Sequence, residues 1–512
     1  MKSRHPNQER GSVLMLALFS VAIVAALAVV AMIISTDNYR AAHQAASWQT
    51  ALLAAEAGVE VGVTEARRSV FAPGTQFSAA NGWSKGEPLN ADGTFLDLNE
   101  NNVYDANVWV YQGNLDNMAS DGAKRSAFYV VMDSPGNTTG GEPYYRLRAI
   151  GMTELTGAAA SAGDGLDVKL RKLSIRTDRI LDTSLKPGSS TVAGGPHATR
   201  VIEIMLKPVS AFRTALFSDV SINMTDHNIV VDSYDSTDPA KSTNGQYDVT
   251  KRQSNGNVAT DGTIINAGSA YIYGNAATHD GSVSNGGNVS GTISNDFYEQ
   301  FFPVQVPSVT FLTSPTTATS SMTLTATANT PSQYKLDTIK LGGSDTIRIQ
   351  GAADGSPTYI QIVVTGDISI TGNGGITMDK GVYARIFVKG DATIAGNGMT
   401  NQGSALALQL YGVDRTVKNA DGTTQMNADG TPVVASYGSI TINGNGAFKG
   451  AVYAPDYNVT LKGGGNTDSV FGSLAGFTIA MTGIQSLHYD EAMGSGGLIS
   501  DYKIGSWVED VR

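Results

Sequence analysis

The sequence predicts a mainly β protein with one long N-terminal α-helix: the helix lies against a sheet, and a parallel β-helix follows. A β-sandwich is the alternative architecture for that last part. Three observations predict this. A run free of ionisable side chains, Ser12 to Thr36, continues into a helix-favouring stretch with no proline between Ser12 and Pro73. Between residues 127 and 209 the chain alternates β-branched and aromatic residues with polar ones. Beyond residue 366 a unit rich in Gly, Ile and Asn recurs. Composition agrees, because 58 glycines and only 16% charged residues favour short strands and tight turns over charged helical arrays.

The helix comes first. Residues 1–11 form a basic leader with Lys2, Arg4 and Arg10 ahead of Gly11, and residues 12–70 form a helix that begins in the apolar run. At 1.5 Å per residue, about 20 residues cross a hydrocarbon layer of roughly 30 Å, so the run is long enough to span a membrane. Cleaved secretory signals have a shorter apolar region and a small-residue cleavage site. The positive residues precede the span and Asp37 follows it, which puts the short N-terminus in the cytoplasm and the bulk outside. Leu14, Leu16, Leu18, Phe19, Ile23 and Leu27 supply apolar surface for lipid or neighbouring helices. Further on, Leu52, Ala55, Val59 and Val63 recur at three- and four-residue steps and form a stripe that can pack on a globular domain, with Glu56 and Glu60 on a solvated side.

Two stretches, ERGSVLMLAL around Gly11 and LLAAEAGVE around Glu56, carry a resemblance to a known family. In this order of basic leader, Gly, apolar helix and AAEA segment, the chain resembles PilX-type minor pilins of type IV pilus assembly. The resemblance covers about the first 70 residues. It implies that a prepilin peptidase cuts between Gly11 and Ser12 and methylates Ser12, and that the helix then leaves the membrane for a filament core or tip. One departure stands out: major pilins carry Glu at the fifth mature position, where this chain has Leu16. A carboxylate there is costly in lipid unless a neighbouring subunit pairs with it, so its lack suits a tip or initiator subunit.

Residues 71–210 are expected to form a pilin-like α+β domain. Loops and short strands come first, followed by strands in 127–133, 144–154, 167–181 and 200–209. Residues 211–310 form a Gly- and Asn-rich β region. Residues 311–345, rich in Thr and Ser, are expected to be an extended linker or an outer strand. The repeat domain spans 346–493, and 494–512 form a C-terminal tail that, with 485–493, closes or caps the structure.

The repeat itself is GDISITGNG (366–374), GDATIAGNG (390–398) and GSITINGNG (438–446), with weaker copies at 457–465 and 218–236. Short strands followed by Gly and Asn suit the coils of a parallel β-helix, since both residues tolerate the positive φ that a repeated corner needs. Ile368, Ile370, Ile394, Ile440 and Ile442 should then point inward, with Thr377, Thr393 and Thr441 outward. The spacing to the third copy is double that to the second. It fits either two coils or one coil carrying the polar insert 413–436.

Charge and motifs exclude several chemistries. A net charge of −11 argues against general nucleic-acid binding, which needs clustered Lys and Arg. The absence of cysteine excludes disulfides, thiolate zinc and Cys nucleophiles. Asp97, Asn99, Asn101 and Asp105 have the alternate spacing of a calcium loop, but Asn102 replaces its turn Gly and Val108 its closing Glu, so an Asn-rich turn competes with Ca²⁺ binding. Thr377, Asn401 and Lys449 replace the third Gly of a dinucleotide loop, and the six histidines form no metal-binding spacing. Asp367, Asp379 and Asp391 could form a carboxylate row for glycan cleavage, against the commoner use of Asp at strand entries. Tyr271, Tyr273, Tyr453 and Tyr457 lie in strand-like stretches, either exposed for stacking on sugars or partners or buried as core.

The expectation is a non-enzymatic minor pilin-like protein with no cofactor beyond weak calcium. Its partners are the inner membrane, other minor pilins or pilus assembly proteins, and surface glycan, with no nucleic acid. The alternative is a signal-anchored surface enzyme acting on polysaccharide.

Overall fold

The computed structural model describes residues 8–71, 76–89, 95, 97–98, 103–115, 126–137, 143–154, 197–226, 228–299, 301–306, 316–420, 423–428, 431–443, 448–463, 470–483 and 486–510. The expected strand at 167–181 lies outside them. The chain divides into two compact units. Met1–Gly136, Tyr144–Lys207 and Lys503–Arg512 make the first; Asn137–Pro143 and Pro208–Tyr502 make the second.

In the first unit a single helix runs Gln8–Phe71. Its C-terminal half buries Ala51, Ala54, Ala55, Gly58, Val59, Gly62, Val63 and Ala66. These are nearly all small, so the helix can approach its sheet closely. The closest approach is at Gly151, where a Cβ would lie 2.0 Å from the carbonyl oxygen of Ala51 and 2.3 Å from the nitrogen of Ala55. Gly58 and Gly62 face Phe128, Val130, Leu147 and Ala149. Near the helix end, buried Glu65 accepts the Phe77 N–H at 2.6 Å and pairs with Arg68 at 3.0 Å, fixing the exit of the chain.

Among the described residues the sheet has six strands in the order Trp83–Lys85, Trp109–Asn114, Ser126–Asn137, Pro143–Glu154, His197–Ser210, Ile499–Asp510. The first three pair antiparallel in succession, as do the fourth and fifth, the latter with Tyr145 opposite Leu206. The last strand corrects the expectation of a tail over 494–512. Ile504, Trp507 and Val508 stay largely exposed, so this strand lacks the buried alternation that marks the others, and its partner lies some 300 residues earlier in the chain.

The second unit is a parallel β-helix, with 23 strands among the described residues, and each strand pair whose register is described is parallel. This excludes the β-sandwich, which is built from antiparallel sheets. Ile368, Ile370, Ile394, Ile440 and Ile442 all point into a continuous core, while Thr377, Thr393 and Thr441 are half-buried. Repeat copies stack directly: Ile368 pairs with Ala392 and Ala392 with Ile440. The wide spacing therefore holds one coil and an insert, which folds on itself through bridges Thr416–Val434, Lys418–Thr424 and Met426–Pro432. Gly372 (φ 60°) and Gly396 (φ 62°) turn successive coils at one corner, and a Cβ on Gly396 would meet the Gly372 carbonyl at 2.8 Å.

Of the two readings of 311–345, an extended linker or an outer strand, the strand is the one found. Thr316–Ala318, Met322–Thr325 and Ser332–Leu341 are strands of the solenoid, with Leu324 inward and Thr323 and Thr325 outward. Thr and Ser here are the wet face of a coil.

The coils are not stacked in chain order. The chain enters in the middle, at Leu216–Met224, and coils outward to Ile293–Ser294. It then crosses back along the solenoid, where the ring of Phe301 stacks on Phe217 at 4.1 Å, the Phe302 N–H donates to the Tyr453 hydroxyl at 2.8 Å, and the Asp414 N–H donates to the Val304 carbonyl at 2.9 Å. Coiling restarts at the far end with Thr316–Ala318. It returns until Val470–Thr482 pairs with Leu216–Met224 and Ser486–Asp490 with Val230–Tyr234. The regions 211–310 and 346–493, expected as separate, are thus two segments of one solenoid joined end to end. The weak early copy at 218–236 forms the coil at the join.

Candidate functional site

The N-terminal helix is the first candidate. The most apolar part of Met15–Arg68 is long and apolar enough to cross a membrane, and none of it is buried. Leu16, Leu18, Phe19, Ile23 and Leu27 are exposed. Gly11, Ser12 and Leu14 fall on the helix backbone, and their side chains lie outside the described residues. Ala55 and Val59 are buried against the sheet, whereas Leu52 and Glu56 are half-buried. One helix thus has a bare apolar half and a docked half of small residues.

The calcium loop is described only in part. Asn99 and Asn101 lie outside the described residues. Asp105 accepts the Asn107 N–H at 2.9 Å, a turn contact, and the buried carboxylate of Glu87 takes the N–H groups of Leu98 and Asp105, each at 3.1 Å. Glu87, which sequence reading passed over, organises this loop. Among the described residues no group of three or more His, Asp or Glu side chains is placed to hold a metal.

The proposed carboxylate row resolves into structural contacts. Asp367 accepts the Asp391 N–H at 2.9 Å, and Asp391 accepts the Ser439 N–H at 3.0 Å, so each ties its coil to the next. Asp379 lies elsewhere and forms a two-pronged pair with Arg348 at 2.9 and 3.1 Å, which holds its carboxyl below the usual range. Of the tyrosines, Tyr453 and Tyr457 are buried, Tyr271 is exposed, and Tyr273 carries the Arg252 guanidinium 3.7 Å above its ring.

A different carboxylate group emerges at another corner. The strand irregularities at 455–457, Phe477, 219–220 and 261–263 fall in register on successive coils. They gather Asp456 and Asp261 around Asp219, with Asp456 and Asp219 also near Tyr437, whose ring stacks on Phe477 at 3.7 Å. Burial pushes the Asp219 carboxyl up to about 6, with Asp261 and Asp456 adding to it; burial also raises Tyr437, again with Asp456 and Asp219 adding. His279 lies 3.1 Å from Asp261. These residues are scattered over more than 200 positions, so only the coil register reveals them. A carboxyl raised by burial beside an aromatic face can hold or move a proton at that corner.

The same acid gives a pH signature. Its folded value lies above the usual value near 3.8, so the folded chain binds the proton first and stability rises as pH falls from about 7 to about 4. Denaturant midpoints should therefore climb between pH 7 and pH 5. Asp219→Asn should flatten that part of the profile; an unchanged slope would refute the assignment.

Comparison with known proteins adds one match. Residues 327–495 match the model of a family described as a domain of unknown function (DUF7305). This stretch holds most of the returning solenoid segment, including Asp456, Tyr437 and Phe477. No curated protein and no solved structure matches the chain.

Proposed function

We propose that the chain is a minor-pilin-like protein of type IV pilus assembly. The helix anchors it in the inner membrane or places it in the filament, and the solenoid is displayed outside the cytoplasm for adhesion or structural spacing. The observation that carries this reading is the two-part helix, bare and apolar through Ile34 and docked on an antiparallel sheet from Ala51 onward. A helix held this way can leave the bilayer for a helix-packed fibre without disturbing its own domain. Leu16 supports placement where no neighbouring subunit must satisfy a buried carboxylate.

Mass spectrometry of the protein from its native envelope should find N-methylated Ser12 as the first residue in cells with prepilin peptidase, and the uncut chain in cells without it. A chain that keeps Met1 in both would overturn the reading. The corner at Asp219 favours a second reading, a surface enzyme acting on polysaccharide. That reading requires glycan turnover that Asp219→Asn abolishes.

A further inference from the structure

The segment between Tyr234 and Val258 leaves the solenoid and folds back over an outward row of four side chains. Strand pairing sets Lys449, Phe471, His488 and Asp232 side by side, from one solenoid segment to the other. Tyr247 covers one end of the row, its ring 3.7 Å from that of His488 and its hydroxyl donating to Asp232 at 2.8 Å. Gln246 reaches the other end. Its backbone is fixed by a tight turn, with reciprocal hydrogen bonds to Thr243 at 3.0 Å and positive φ at Asn244 (54°) and Gly245 (75°), the Asn-Gly geometry of a two-residue hairpin. Its side-chain carbonyl oxygen accepts from Lys449 Nζ at 2.9 Å.

Lys449 is only 9% exposed, and among the described residues it has no ion-pair partner. A buried ammonium facing an amide carbonyl instead of a carboxylate is an unusual arrangement, because burial penalises the charged form. We propose that Lys449 and Gln246 are joined by an intramolecular amide bond that staples the two solenoid segments together. The carbonyl carbon lies one C=O bond, about 1.2 Å, beyond the oxygen that Nζ already contacts. The lone pair of the neutral amine attacks this carbon. The new C–N bond forms as the bond to the side-chain nitrogen of Gln246 breaks, one proton passes from Nζ to the departing nitrogen, and ammonia leaves. No oxidant or activated co-substrate is required.

The surroundings favour the neutral amine. Burial lowers the Lys449 value, and the carboxyl that opposes this, Asp490, is itself fully buried and raised by burial. A carboxyl held toward its neutral form does little to keep the lysine charged. The staple would join two points 203 residues apart in the chain, where a covalent link removes much of the freedom of the unfolded state.

The test is peptide mapping of the full-length protein extracted in detergent. The expected result is a branched peptide joining the Gln246 and Lys449 segments, lighter than their sum by one ammonia, with no tryptic cleavage after Lys449. Lys449→Arg keeps the charge and the hydrogen bond but not the nucleophile, and should yield only linear peptides. Gln246→Ala, at an exposed turn position, should do the same. Stoichiometric recovery of unmodified Gln246 and of cleavage after Lys449 in the wild-type chain overturns the proposal, as does a branched peptide that persists in both variants.

Discussion

Replacing Gly151 with leucine is expected to lift the helix from its sheet and to cost at least about 3 kcal/mol, the upper end for overpacked cores. Overpacking is usually relieved by rotating side chains. Here the obstructing atoms are backbone, the Ala51 carbonyl oxygen at 2.0 Å and the Ala55 nitrogen at 2.3 Å from the new Cβ. Relief would require moving a helix held along its length by Ala54, Gly58, Val59 and Gly62. Gly58→Ala is the matched control, because its Cβ would meet only side-chain atoms, at 3.0 to 3.2 Å. Thermal unfolding in detergent, followed by near-ultraviolet circular dichroism, separates the two. A Gly151→Leu midpoint equal to that of Gly58→Ala would mean that the close approach is not a determinant of the fold.

The second large effect is expected at the join of the solenoid. Asp232 and His488 are both buried, 2.5 Å apart, on paired strands from the two segments. Removing Asp232 leaves the buried His488 ring nitrogen without its hydrogen-bond partner, which typically costs about 1–3 kcal/mol. Asp232→Ala also takes away the acceptor of the Tyr247 hydroxyl, loosening the cover over the row. The variant should unfold at lower denaturant and become sensitive to protease within 235–257. Asp232→Asn, which retains the shape and hydrogen-bonding atoms, should lose less. Equal losses in the two variants would show that the carboxylate's charge, not its shape, matters at the join.

How much of this was legible in the sequence varied with the distance over which each signal acts. The helix was read nearly to its ends, because apolar content and proline exclusion are local properties. The β-helix was read from GDISITGNG and its copies, because a coil repeats the same corner and the same inward isoleucines within about two dozen residues. The strand Ile499–Asp510 was read as a tail, and the strands at 316–341 were left open between linker and outer strand, for a shared reason. The outward residues of 316–341 are largely polar, while Ile499–Asp510 leaves Ile504, Trp507 and Val508 exposed, and what makes both strands is a partner elsewhere in the chain or a shared core at their inward positions. Asp367, Asp379 and Asp391 were singled out as a possible carboxylate row, yet the strand-entry setting of Asp367 and Asp391 commits them to binding the next coil's backbone.

By itself, the sequence determined an apolar N-terminal helix that continues beyond any membrane span, a sheet for it to pack on, and a stack of coils built from Gly, Asn and Ile. Propensity, periodicity and turn chemistry act between near neighbours, and those residues carry them. Only the tertiary structure decided that the chain enters its solenoid in the middle and closes it by laying Val470–Thr482 on Leu216–Met224. It also brought Asp219 to Asp456, Asp232 to His488 and Gln246 to Lys449. Such meetings depend on coil register across more than 200 residues, and no local pattern encodes a partner at that distance.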